Sequence, residues 1–324
     1  MTASHSENAE SGEGTQDEAS AARPTGSVKD HTKVSASQPT VLDNGTCPYC
    51  AAVFGDECPG TKEHVVGRRF VPKGKMAEAW NLIFQACEKC NGLKADLEND
   101  ISVISMHVDP TGIEPADAAL MRAEIDRRAT KTLSRNTRKP VSEGEKPLVL
   151  KGAFGPATMT FTLNMPPQVT EKRLFDLACF QMLGFFYFLT YRPLDRRGNW
   201  WGDGFHPLLA VRRSDWGNPV IRWFEEITKH RREILHVQTA AGFYKAWIRE
   251  MNDKPNLWAW AIEWNQGLRL VGFFGDEAEA ITLGQSRPTI KTKTIHNDGK
   301  RIIRMRAETA VETSDDHLFD MIND

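Results

Sequence analysis

The most apolar run of the chain, LFDLACFQMLGFFYFLTY over residues 174–191, has about the minimum length for crossing a bilayer. Asp176 and Gln181 interrupt it and nothing apolar continues past Tyr191, so it reads as a buried core helix over about 171–191 and not as a span. Just before it, ATMTFTLNM alternates Met159, Phe161, Leu163 and Met165 with threonines, as a half-buried strand does. Further on, LWAWAIEW and LRLVGFFG flank Asn265-Gln266-Gly267, and TIKTKTIH and KRIIRMR flank Asn297-Asp298-Gly299, which predicts two hairpins. Residues 114–134 carry Ala118, Leu120, Met121, Ile125 and Ala129 as an apolar stripe at helical spacing, and NGLKADLEND (91–100) predicts a shorter helix. Residues 140–156, punctuated by Pro and Gly, read as a connection into a second region. The expected class is α+β, with a separate α+β domain of antiparallel hairpins over 150–310 and an acidic tail over 311–324.

Residues 1–40 are rich in Ser, Thr, Glu, Gly and Ala and almost free of large apolar residues, so a disordered tail is expected. No apolar stretch follows the first methionine and acids are frequent, which argues against secretion or organelle import and makes a cytoplasmic location the default. Hydrophobic content of 40% suits a folded chain, and a net charge of −2 excludes a uniformly basic coat without excluding local patches. One such patch lies between residues 120 and 140, with Arg122, Arg127, Arg128, Lys131, Arg135, Arg138 and Lys139; solvated helix face and phosphate-contacting surface remain open readings. The last hairpin, with Lys291, Lys293, Lys300, Arg301, Arg304 and Arg306, reads as an edge protected by charge or as a phosphate-binding ribbon.

Four of the six cysteines form two pairs, CPYC (Cys47, Cys50) and CEKC (Cys87, Cys90). In a chain without a secretory signal such pairs hold a metal more often than they form disulfides, and four thiolates suit zinc. The 36 residues between Cys50 and Cys87 exceed the span of a simple zinc ribbon, so something is built between the knuckles. A module this small buries little surface, and a bound zinc would staple it. Cys58 and Cys179 fall outside the pattern and read as ordinary residues, as do His107, His206, His230 and His296.

Between the knuckles lies TKEHVVGRRF (61–70), with Glu63 directly before His64. Adjacent side chains leave a strand on opposite faces, so the two could share a site only where the strand ends or bulges. Asn81-Leu82 follows, and then Cys87-x2-Cys90-Asn91 with Lys94 three residues on. This set, over about residues 43–100, resembles the HNH endonucleases, in particular the zinc-stapled members with an acid-His-Val strand, an Asn-Leu segment and a C-x2-C-N-x2-K helix in that order. The resemblance implies a ββα-metal fold within a module over 43–140. It implies His64 as the general base, Glu63 and Asn91 as oxygen ligands of a catalytic Mg²⁺ or Mn²⁺, and Asn81 as the residue that braces the loop. Lys94 would orient the helix or contact a phosphate. Gly67 departs from the proline many relatives carry, as Glu63 departs from Asp and Asn91 from His.

The chemistry agrees with the likeness. A phosphodiester repels hydroxide, so hydrolysis calls for a cation on its oxygens and a base titrating near neutrality, the range of histidine. Lys62, Arg68, Arg69, Lys73 and Lys94 add positive charge suited to nucleic acid. The expectation is a nuclease acting on DNA, with RNA left open, in a setting such as bacterial defence or restriction; double-strand cleavage would require two sites, as in a homodimer. The rival is a noncatalytic zinc module that binds nucleic acid or serves as a scaffold.

Overall fold

The computed structural model describes residues 31–34, 38–107, 114–143, 148–154, 157–163, 169–201, 204–251, 253–254, 256–297 and 302–321. Its elements run β1 (His31–Val34), β2 (Thr40–Val41), β3 (Gly60–His64), β4 (Leu82–Cys87), α1 (Glu88–Ile104), α2 (Ala118–Arg128), β5 (Leu148–Phe154), β6 (Ala157–Leu163), α3 (Glu171–Leu189), β7 (Phe205–Arg212), α4 (Pro219–Thr228), β8 (Arg232–Thr239), β9 (Tyr244–Glu250), β10 (Leu257–Trp264), β11 (Leu268–Gly275), α5 (Glu277–Gln285), β12 (Lys293–Asn297) and β13 (Ile302–Met305).

LWAWAIEW is apolar at nearly every position because β10 is buried on both faces. It sits inside a six-stranded sheet of order β1-β8-β9-β10-β11-β7, in which β1 runs parallel to β8 and all other neighbours are antiparallel. Side chains alternate across a strand. Trp258, Trp260, Ile262 and Trp264 therefore join the core under α3, while Leu257, Ala259 and Ala261 join a second core with Val220, Ile221 and Phe224 of α4. The Asn265-Gln266-Gly267 turn connects β10 to β11, with Asn265 and Gln266 at φ of 51° and 54°.

The expected buried helix is α3. Gln181, the polar interruption of its apolar run, has no exposure, and its Oε1 accepts hydrogen bonds from Tyr244 Oη at 3.1 Å and Trp264 Nε1 at 2.9 Å. The interruption thus ties the helix to the sheet. No helix among the described residues is long and apolar enough to cross a membrane.

The far side of α3 packs on a small sheet of order β2-β4-β3. Gly184 permits the approach, since a Cβ there would stand 2.9 Å from Val65 Cγ2 and 3.2 Å from Phe84 Cζ. One core accordingly joins Val65, Trp80 and Phe84 to Phe185 and Phe186 of α3 and to Tyr244 and Trp264 of the large sheet. Across the junction, Asn265 Nδ2 donates to Phe70 O at 3.1 Å and to Ser105 Oγ at 2.8 Å, and Thr239 Oγ1 donates to Trp80 O at 2.5 Å. The expectation of a separate second domain gives way to a shared core. A module of some 60 residues leaves apolar surface it cannot cover, and here α3 covers it.

Three further expectations shift. β1 falls inside the segment expected to be disordered, and residues 1–30 lie outside the described residues. The acidic tail is anchored: Val311, Leu318 and Phe319 are buried, Trp247 Nε1 donates to Leu318 O at 2.8 Å, and Asp316 pairs with the buried Arg269 at 2.5 Å. Its few apolar residues join the second core, a placement that the acids around them in the sequence concealed. The connection over 140–156 contains β5, which pairs with the expected strand β6. β12 and β13 form the second hairpin; its turn Asp298-Gly299, Lys300 and Arg301 lie outside the described residues, as do Met165 and residues 322–324.

Candidate metal centre and hydrolytic site

β4, LIFQAC, is buried at all positions but Gln85 and runs without a loop into α1, whose N-cap is Cys87. Cys87 and Cys90 therefore flank the strand-to-helix junction. Opposite them the CPYC turn is closed by Ala51 N–H to Cys47 O at 2.9 Å and Cys47 N–H to Ala52 O at 2.8 Å, with Ala51 at φ 59°. The four sulfurs lie within 4.8 Å of one another, a group that could hold a metal ion. Cys50 Sγ and Cys87 Sγ stand 3.7 Å apart. Four thiolates about 2.3 Å from a tetrahedral metal are about 3.8 Å from each other, so the spacing fits such a shell. Cys87 N–H also points at Cys47 Sγ, 3.4 Å away.

The protonation chemistry agrees. Burial pushes the Cys47 thiol up to about 12 against the pull of the Cys87, Tyr49 and Cys50 backbone N–H groups. Burial, then the bond to Cys87 and the charges of Cys47 and Cys50, raise Cys90 as well. Four thiolates together need a cation to remain charged, and a bound dication supplies it. Cys58 borders the group: burial, then the charges of Cys87 and Cys50, raise its thiol. Its spacing from the paired cysteines carried no signal of this.

β3 lies antiparallel to β4, pairing Gly60 with Cys87 and His64 with Ile83, and is regular through both Glu63 and His64, so the end or bulge expected to aim the two side chains into one site is not seen between them. Strand alternation sends their side chains to opposite faces. Thr61 and Glu63 face α1: Asn91 Nδ2 donates to Thr61 Oγ1 at 2.9 Å and to Lys62 O at 3.4 Å, and Glu63 Oε1 lies 2.7 Å from Lys94 Nζ. Asn91 and Glu63 thus share the α1–β3 interface, Glu63 meeting α1 at Lys94, about one helical turn beyond Asn91. His64 is half-exposed. Burial first, then the charges of Arg68, Lys62 and Lys94, push its imidazole below the ordinary value, with Glu63 pulling the other way. Asn81 is buried and its amide clamps both backbone groups of Val66 in the loop after β3, accepting from Val66 N–H at 3.2 Å and donating to Val66 O at 2.7 Å.

Comparison with family models, with curated proteins and with solved structures finds no match.

Lys62, Arg68, Arg69 and Lys73 are exposed, as phosphate contacts must be. Lys94 is not: with 1% exposure it faces Glu63, Glu98 and the His64 carbonyl, which removes it from the nucleic-acid set. Glu63 also departs from its expected part. It is buried, and its Oε1 receives Tyr49 Oη at 3.2 Å in addition to Lys94, so the oxygen expected on a catalytic cation is bonded to an ammonium. Sequence reasoning missed Tyr49 and Glu98. The i,i+4 spacing of Lys94 and Glu98 was the available signal for the latter.

Of the seven basic residues over 120–140, five have protein partners, and the choice between solvated face and phosphate-contacting surface stays open. Arg122 pairs with Glu114, Arg127 with Glu124, Arg135 with Asp96 and Lys139 with Glu143, while Arg128 bonds to Ser102 Oγ.

Proposed function

We propose that residues 43–104 form an HNH-type phosphodiesterase centre acting on DNA, stapled by zinc at Cys47, Cys50, Cys87 and Cys90. The observation that carries this reading is the Asn81 clamp on Val66, which holds rigid the loop leaving His64 while His64 itself stays half-exposed among exposed basic residues. His64 takes the proton from a water that attacks the phosphorus; the bond from phosphorus to the leaving sugar oxygen breaks, and that oxygen takes a proton from solvent. Its lowered pKa keeps it unprotonated at neutral pH, the state a general base needs. Lys62, Arg68 and Arg69 hold the nonbridging oxygens of the phosphate and offset its charge. Zinc supplies no step; it fixes the junction of β4 and α1, and so the helix that backs β3. A divalent cation shared by Glu63 and Asn91 does not fit the residues as they stand, because Glu63 Oε1 is held by Lys94, and no step is assigned to one.

A second reading, a zinc module that binds nucleic acid without cutting it, is favoured by that same neutralised Glu63. Plasmid nicking by the full chain, with and without Mg²⁺ or Mn²⁺, separates the two. The hydrolytic reading expects nicking that falls about 10²-fold or more in His64→Ala while thiol-bound zinc and melting temperature stay unchanged. Undiminished activity in His64→Ala removes His64 as the base; binding without cleavage under every metal condition establishes the second reading.

A further inference from the structure

Lys94 Nζ lies 2.7 Å from Glu63 Oε1, 2.7 Å from Glu98 Oε1 and 2.9 Å from the His64 carbonyl oxygen. An ammonium carries three N–H donors, and three acceptors surround this one. Glu98 Oε1 in turn accepts Gly67 N–H at 3.1 Å, and Tyr49, from the CPYC turn, donates to Glu63. One buried cation therefore reaches the residue before His64 through a side chain, His64 through its carbonyl, and the loop three residues later through Glu98. Burial works against a charged Lys94, but the charges of Glu98 and Glu63 outweigh it and hold its pKa above the ordinary value. Gly67 belongs to the same arrangement. A Cβ there would overlap the Glu98 carboxylate, and a proline would lack the N–H that Glu98 accepts.

We propose that Lys94 is a built-in cation of this site: it occupies the carboxylate that the resemblance assigns to a divalent metal, and it acts as a positioning residue that fixes the backbone on both sides of His64. Only its consequence for cleavage rests on the reading of His64 as a base; the exclusion of a metal from Glu63 stands apart from it. Removing the ammonium leaves two carboxylates, Glu63 and Glu98, facing the space it filled. That is a hard-oxygen pair of the kind Mn²⁺ and Mg²⁺ take. A phosphate-contacting Lys94 would behave differently, since its loss would weaken DNA binding and flatten its salt dependence.

The test uses the zinc-loaded full chain as wild type, Lys94→Met and Glu63→Gln/Lys94→Met. Mn²⁺ binding is followed by electron paramagnetic resonance, the Gly67 amide by hydrogen exchange, and DNA binding by titration at several salt concentrations. Lys94→Met is expected to bind Mn²⁺ at least about tenfold tighter than wild type, a gain that disappears in the double variant. In both variants Gly67 exchanges at least about tenfold faster, because the Glu98 carboxylate loses its anchor. Where wild type nicks DNA, kcat falls about 100-fold with the salt slope of binding unchanged. Wild type holding Mn²⁺ through Glu63 as tightly as Lys94→Met overturns the proposal, and so does a salt slope reduced by about one with Gly67 still protected. Should Lys94→Met fail to fold, the double variant decides, since wild-type protection of Gly67 there refutes the positioning role. A wild type that never nicks DNA counts against the hydrolytic reading, and the manganese and exchange measurements still decide Lys94.

Discussion

Removing the metal should lower the stability of the whole chain, not only of the cysteine module. The two knuckles join residues 47–50 to residues 87–90, so a metal across them closes a ring of about 40 residues, whose chain entropy alone is worth about 4 kcal/mol by the cross-link relation. That is a large fraction of the 5–15 kcal/mol that stabilises an ordinary fold. With an unfolding entropy of about 2.1 cal/mol/K per residue over the roughly 260 residues the structure describes, the loss corresponds to about 7 °C in Tm. The core beneath the knuckles sets how that loss is distributed. Phe84 and Trp80 of the module, Phe185 of α3 and Trp264 of β10 are packed in one cluster, so there is no independent unit for the metal to hold. Cys87→Ser, or wild type stripped of bound metal by a chelator, should therefore melt in one transition displaced downward by about that amount, seen alike by tryptophan fluorescence and far-UV circular dichroism. A chelated protein melting at the wild-type temperature would refute the metal's structural role. Two resolved transitions, one sensitive to chelator and one not, would refute the shared core.

Gln181→Leu removes the acceptor of both Tyr244 Oη and Trp264 Nε1, each orphaned donor costing about 1–3 kcal/mol; because Gln181 Nε2 itself has no partner among the described residues, the net loss is expected near 2 kcal/mol, and denaturant melts of Gln181→Leu in a Tyr244→Phe background should show a smaller one. Gly67→Ala pushes a Cβ onto a Glu98 carboxylate pinned by Lys94, so a destabilisation of about 1–3 kcal/mol is expected in the same melts, and a neutral substitution would show that the Glu98 contact yields freely. His64 is held below its ordinary value, so the folded state disfavours its proton: stability should decline as pH falls below about 6.5, and any nicking rate should climb through a limb centred below that value and then level. A rate limb centred above about 6.5 would mean that another group sets it.

The elements that the sequence declared best are those in which one local pattern decides the outcome. α3 follows from a long apolar run, and the β10–β11 hairpin from two apolar strands around Asn265-Gln266-Gly267. The cysteine pairs announced their convergence because C-x2-C spacing fixes both sulfurs of a pair on one turn. The shared core was not legible, since nothing in Val65 or Phe84 says which distant surface will cover them. Gly184 held the only local hint, a glycine in an apolar helix, and its reason becomes visible only once β3 and β4 lie against it. The anchored C-terminal segment was hidden likewise, because Leu318 and Phe319 are two apolar residues among acids and their partners Trp247 and Arg269 lie far away in the chain.

The site divides along the same line. The order of Glu63, His64, Asn81 and Asn91 indicated which elements would meet, and they do meet: β3 ends at His64, α1 lies against its Thr61–Glu63 face, and Asn81 braces the loop beyond. Charge could not be assigned in the same way. A lysine three residues past Asn91 at the surface is a phosphate contact, whereas the same lysine under Tyr49 and beside two glutamates is an internal counterion, and only the packing of α1 against β3 separates the two. A buried ammonium is tolerated where carboxylates surround it, and a buried carboxylate where an ammonium does. Glu63, Lys94 and Glu98 therefore have to be read as one group, and which cation those two carboxylates keep, the chain's own lysine or a metal, decides what the hydrolytic reading proposed above has to work with.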